Sequence, residues 1–245
     1  MKTPNSTPQL FAKRLISVAI ITAFSNPAWA GRPLSTDDAA TADLGTCQIE
    51  SWRDKQSSTQ TTTVAPACGV FKGIELGIDY ARDSGSGERS YGRGIALKWV
   101  PESWQAKTTV AEFNAGVKFS AAQERQPGEG WKAAEQSALL MVSSKFSDTI
   151  SAHINLGSIK SRGENVRGTV LNAALVASFD PHVLVFIESQ TNDRRTVFGP
   201  TVNTIGARYW VVPEKIGVDV TASRNAGGNQ GTTWGVGFGW YGLSW

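Results

Sequence analysis

From residue 45 onward, apolar and polar positions alternate with a period of two in segment after segment. Ile74, Leu76, Ile78 and Tyr80 alternate with Glu75, Gly77, Asp79 and Ala81. Ala111, Phe113, Ala115, Val117 and Phe119 interleave with Glu112, Asn114, Gly116, Lys118 and Ser120. The same holds for Leu171, Ala173, Leu175, Ala177 and Phe179 and for Ile216, Val218 and Val220. Successive side chains of a strand point to opposite faces, so each segment carries one apolar face and one polar or small face. A soluble sandwich alternates in the same way, and the connections have to decide. Strands are expected near 45–54, 61–70, 73–82, 91–100, 108–120, 132–146, 149–160, 166–179, 183–191, 199–212, 215–224 and 232–245. Their links alternate between two kinds. Phe71-Lys72, Ser147-Asp148, Asp180-Pro181-His182 and Pro213-Glu214 are short. The links 83–90, 121–131, 161–165, 192–198 and 225–231 are longer and rich in polar residues and glycine. The link 101–107 breaks the rule, being long on the short-turn rim. Short turns at one rim and longer loops at the other belong to a membrane barrel, as do strands of about 9–11 residues. The expected fold is all-β: a transmembrane antiparallel up-and-down β-barrel of about 12 strands.

The start of the chain supports export. Lys13 and Arg14 precede the largely apolar run 15–24, and Ala28-Trp29-Ala30 forms a small-x-small site. That order reads as a signal peptide cleaved before Gly31, because so short an apolar run cannot span a hydrocarbon core needing about 20 residues. The division expected is a signal peptide at 1–30, an N-terminal periplasmic segment at 31–44 and an outer-membrane barrel at 45–245. Cleavage removes Lys2, Lys13 and Arg14, leaving 21 basic against 21 acidic side chains. A neutral mature chain without a basic stripe gives no ground for nucleic-acid binding.

Trp52, Tyr80, Tyr91, Trp99, Trp104, Trp131, Tyr209, Trp210 and Trp234 fall near expected strand ends, where a barrel places its interfacial girdles. The chain ends Tyr241-Gly242-Leu243-Ser244-Trp245. With its terminal aromatic and with Tyr241 and Leu243 before it, this end resembles the C-terminal assembly signal of outer-membrane barrels. The resemblance implies the barrel-assembly machinery and outer-membrane lipid as partners. Gly31–Ala39, Gly45-Thr46-Cys47-Gln48-Ile49-Glu50-Ser51-Trp52 and Ala65-Pro66-Ala67-Cys68 resemble a narrower group. These are transporter-like outer-membrane channel proteins described under a phenol-degradation meta-pathway label. The likeness covers roughly residues 31–82, and it implies channel or uptake function for small solutes, hydrophobic or aromatic ones included.

An exported chain can keep a disulfide, and Cys47 and Cys68 are its only cysteines. Pairing them in an antiparallel hairpin centres the turn between Ser57 and Ser58, inside the polar stretch 54–60. Directly opposed residues lie about 4.5–5.5 Å apart, within reach of a bridge. Such a bridge would pin the first hairpin and contribute about 3 kcal/mol in the chain-entropy model.

Candidate chemistry is sparse. His182 lies in a turn, where a solvated role is expected, and His153 falls on the face assigned to the lumen without a nucleophile motif. No spaced ligand cluster suggests a metal, and no catalytic residue, metal site or cofactor is assigned. The informative residues are charges within expected spanning segments: Glu75, Asp79, Lys98, Glu112, Lys118, Glu188, Arg208 and Asp219. On a lipid face each would cost several kcal/mol, so they should turn inward. Either they line a polar conduit or they pair into a plug. Two function classes follow. One is a passive channel or transporter for small solutes; the other is a structural or surface-interaction barrel without transport.

Overall fold

The computed structural model describes residues 34–85, 88–227 and 231–245. The expected signal peptide 1–30, its cleavage before Gly31, and Arg32 and Pro33 lie outside these residues. The strands are β1 (Thr46–Gln56), β2 (Thr59–Phe71), β3 (Ile74–Gly85), β4 (Glu88–Trp99), β5 (Gln105–Lys107), β6 (Glu112–Arg125) and β7 (Lys132–Lys145). They continue with β8 (Ile150–Ser161), β9 (Arg167–Asp180), β10 (Val183–Asn192), β11 (Val202–Val212), β12 (Ile216–Asn225) and β13 (Thr233–Ser244). Each long strand pairs antiparallel with its chain neighbour, β4 pairs with β6 past β5, and β13 closes on β1. The result is a closed ring of twelve long strands. Closure leaves no sheet edge, so the wall satisfies its own backbone groups as a lipid environment requires.

β5 accounts for the anomalous link 101–107. A single 3₁₀ turn (Glu102–Trp104) leads into these three residues, which pair only with Glu112–Asn114 of β6. The opposite rim differs from expectation because the strands run further. β3 and β4 stay paired out to Gly85 and Glu88, and β6 continues to Arg125. Here the outward positions carry arginine instead of apolar residues, so the alternation persists in a form that an apolar pattern does not reveal. Between Asn192 and Val202 the chain makes one helical turn, α1 (Arg195–Phe198). The rim holding the start of β1 and the end of β13 is called the turn rim below, and the opposite one the loop rim.

The faces follow the sequence alternation. Leu76, Ile78 and Tyr80 are exposed on the outer wall, while Glu75 beside them is 6% exposed. Leu171 and Leu175 face outward and Ala174 and Val176 inward; Val218 and Val220 face outward and Asp219 and Thr221 inward. In the first hairpin Cys47 opposes Cys68, and the two form a disulfide with Cα atoms 4.0 Å apart. The bridge lies at the turn rim on the face of Ile49 and Val64. The hairpin turns at Ser57 and Ser58, with Ser57 at φ 51°.

The buried apolar side chains lie inside the ring. Val176, Leu184, Phe186, Trp210 and Tyr241 form one cluster, with Leu34 packed on it, and Ala39, Val100 and Met141 form another. Leu34 and Ala39 precede the first strand: the segment ahead of the barrel runs through the turn-rim half of its interior. Leu44 bridges Gly69 in parallel pairing, and a Cβ on Gly69 would sit 2.3 Å from the carbonyl oxygens of Ala42 and Asp43. Only glycine lets the segment approach the wall so closely.

Candidate functional site: a lumen divided by the N-terminal segment

An extended segment inside a barrel has no strand partner, so its backbone N–H groups need acceptors from side chains. The inner wall supplies them in chain order. A Glu188 carboxylate oxygen accepts from the N–H groups of Ser35 and Thr36. Asn155 is bidentate: its Oδ1 accepts from the Asp37 N–H at 2.8 Å, and its Nδ2 donates to the Asp37 carbonyl at 2.7 Å. Ser143 Oγ accepts from the Ala39 N–H at 2.7 Å, and Glu75 Oε2 from the Ala42 N–H at 2.8 Å. These acceptors belong to β10, β8, β7 and β3, so the segment crosses the lumen from one wall to the other.

Two lysines hold its acidic side chains. Lys118 Nζ lies 2.8 Å from Asp37, and Lys98 Nζ lies 3.3 Å from Asp38 and 3.5 Å from Asp37. Burial raises the Asp37 carboxyl, but Lys118 and Lys98 outweigh it and leave the group below the usual carboxylate range. For Asp38 burial wins. It pushes the carboxyl up to about 7 against the pull of Lys98, with Asp37 and Glu75 adding repulsion.

A second polar cluster runs along the inner wall over the adjacent strands β11, β12, β13 and β1. Arg208 NH2 donates to Asp219 Oδ2 at 2.8 Å, and its NH1 donates to the Tyr241 hydroxyl at 2.6 Å. That hydroxyl donates onward to Glu50. Asp219 lies across Gly237, where a Cβ would meet its carboxylate oxygen at 2.4 Å.

Of the eight charges singled out in the sequence, Glu75, Lys98, Glu188, Arg208 and Asp219 are buried within the ring, and Asp79 and Lys118 are half-buried there. Glu75, Lys98, Lys118 and Glu188 converge on the N-terminal segment, whereas Arg208 and Asp219 pair with each other. Glu112 belongs to neither group; it sits at the turn rim, ion-paired with Lys107 of β5. Sequence reasoning missed Asp37, Asp38, Asn155, Ser143 and Glu50. No periodicity marks a segment whose partners are single side chains on distant strands.

His153 faces the lumen, buried, with Nδ1 2.8 Å from Ser143 Oγ. This serine–histidine pair supports the Ala39 amide under the segment. His182 departs from the solvated role expected of it: it is half-buried, stacked on Tyr209, with Nδ1 2.7 Å from the Trp210 carbonyl. At the C-terminus, Gly242 at φ 69° coincides with a register shift between β1 and β13. Tyr241 keeps the inward phase of Gly237 and Gly239 and is buried, whereas the shift puts Leu243 opposite Cys47 on the outer face and leaves Trp245 exposed.

The segment leaves space on both sides. Towards the loop rim lies a cavity of about 460 Å³, lined by the acids Asp37, Glu50, Asp54, Glu75 and Asp79 and by two cations, Lys98 and Lys118. Towards the turn rim lies one of about 520 Å³, reaching Ser143, Lys145, Ser151 and His153. Among the described residues no group of acids, histidines or cysteines could hold a metal ion.

A closed twelve-stranded ring with an apolar outer wall and charges turned inward defines a transmembrane β-barrel of the outer-membrane type. The chain belongs to the family described as uncharacterised conserved protein UCP029691, whose model matches residues 18–240. No curated protein sequence matches it. Among solved structures the KdgM porin is similar, with a TM-score of 0.59 and 13% identity over 79% of this chain and 98% of that one. A second structure of KdgM is a complex with disordered oligogalacturonate. The NanC porin aligns with a TM-score of 0.51 and 8% identity, covering 81% of this chain and 100% of that one. Outer membrane phospholipase A from Escherichia coli aligns at 0.50 and 9%, covering 84% and 93%. At such identities these likenesses show the shared fold.

Proposed function

We propose that this protein is a passive outer-membrane channel for small solutes, neutral or cationic, with residues 34–44 as a partition across its lumen. The observation that carries the reading is the pair of cavities on either side of that segment, inside a closed barrel. The signal-like residues 1–30 agree with export. An even strand number returns both ends of the barrel to one rim, which we assign to the periplasm. The terminal residues Leu243 and Trp245 then serve the assembly machinery, and the outer wall meets lipid.

The lining sets the solute class. The loop-side cavity carries more acids than cations, and a low-dielectric passage lined by one sign favours ions of the other. An acidic oligomer such as the oligogalacturonate held by KdgM would meet repulsion here. The resemblance of residues 31–82 to meta-pathway channel proteins adds neutral aromatic molecules to the solutes this reading admits.

Planar-bilayer recording of the mature protein under a KCl gradient tests this. We expect discrete steps with a reversal potential on the cation side, reduced in Asp54→Asn/Asp79→Asn. A silent bilayer containing folded, inserted protein would favour a structural barrel instead.

A further inference from the structure

The acids of the loop-side cavity have a counterpart on the outside of the same wall. Outward strand positions towards the loop rim hold Arg53, Lys55, Arg82, Arg93, Arg167 and Arg224. Among the described residues those outward positions hold no acid. Acid inside and base outside cannot come from solubility alone, since either sign would serve that. It marks a wall that meets solvent on one face and fixed negative charge on the other.

The basic positions converge on β3, β4 and β6. Arg82 opposes Tyr91, Ser84 opposes Arg89, and Tyr91 opposes Arg125, so four guanidinium groups share one patch of the outer wall. Aromatic rings hold two of them in place. The Arg93 guanidinium lies 4.3 Å from the Trp131 ring centre, and that of Arg125 lies 4.9 Å from Tyr91 and 5.1 Å from Trp131. Arg93 Nε donates to Gln123 at 2.8 Å. A ring face occupies the flat side of a guanidinium and leaves its N–H edge free for a planar or tetrahedral oxyanion. Among the described residues none of the four arginines has a carboxylate partner. Tyr80, 6.2 Å from Tyr91, continues the patch towards the apolar wall, as an interfacial girdle does.

We infer that this patch on β3, β4 and β6 binds the phosphate groups of a phosphorylated glycolipid in the outer leaflet. The charge complementarity and the position select this occupant. The arginines sit where the apolar wall ends, so a ligand reaching them must place a doubly charged head there and its acyl chains along Ile78 and Ile95 below. A membrane lipid does both, whereas a free anion does only the first. Bidentate contacts of this kind are charge-assisted and stronger than neutral hydrogen bonds, and several cations beside an anionic surface act together. The assignment rests on the outer-membrane reading above, because the loop rim must face the outer leaflet. It does not depend on conduction.

The test uses the purified, folded, full mature protein in a neutral detergent, titrated with bis-phosphorylated lipid A and followed by native mass spectrometry and Trp131 fluorescence. Dephosphorylated lipid A and inorganic phosphate serve as parallel probes. We expect saturable binding of the bis-phosphorylated lipid, at least tenfold weaker binding of the dephosphorylated one, and a similar loss in R82Q/R89Q/R93Q/R125Q. Heat-modifiable migration checks that the variant is folded, and K72Q/K107Q at the turn rim should bind as the wild type does. Equal binding of both lipids, or undiminished binding by the folded quadruple variant, overturns the site. Inorganic phosphate that competes at equal concentration overturns the lipid assignment. Failure of the outer-membrane reading would show separately, as a mature protein recovered in the soluble periplasmic fraction.

Discussion

Single side chains set what the lumen can do, and the buried charges are the clearest case. Removing one member of a buried ion pair leaves its partner uncompensated, a loss of about 3–5 kcal/mol. Arg208→Met should therefore destabilise the barrel by about that amount, read as a shifted urea midpoint in detergent, because Asp219 is fully enclosed beside it. An unchanged midpoint would place the Arg208 cluster in solvent. Asp38 makes a prediction about pH. Its carboxyl rises from 3.8 in the free segment to about 7 when docked, so the docked state favours the protonated acid. The contribution is full below pH 3.8 and is lost as pH rises through about 7. Protease access to residues 34–44 should therefore increase between pH 5 and pH 8. Asp38→Asn, neutral throughout, should flatten that rise; a variant with the same rise would assign it to another group. Asp38 looked like any residue of a polar leader. Its role comes from Lys98, sixty positions away.

At the scale of elements, alternation carried most of the information. Ile78 and Asp79 are adjacent in sequence and face opposite media, and the alternating residues around them had implied it. Ile78 is 59% exposed on the outer wall at the middle of β3, so Ile78→Arg should lower insertion stability by about 2–4 kcal/mol. Folding into bilayers, measured against the wild type, checks this; normal insertion would reverse the wall. The first hairpin was legible in its register, since two cysteines and a polar turn leave little freedom. The strand ends at the loop rim were not. There Arg89 and Arg125 stand on the outer face inside the expected links 83–90 and 121–131, and charged positions read as loop. The Gly242 bulge was not legible either: it puts Leu243 on the face opposite to Tyr241, two residues before it, and a bulge leaves no mark on a two-residue period.

The whole molecule combines a closed wall, legible as such, with an occupant that was not. The barrel follows from a local pattern repeated twelve times. The partition follows from Glu188, Asn155, Ser143 and Glu75 bonding one segment, and only closure of the ring brings them together. Acids on the loop-side inner wall and arginines outside it then divide the protein's two environments. The most direct test is to remove residues 34–44 and record the variant and the intact mature protein in planar bilayers, after heat-modifiable migration has shown both to be folded. The account predicts a several-fold larger conductance step for the shortened chain, with the cation preference kept because Asp54 and Asp79 remain. An identical step in the two proteins would contradict the partition.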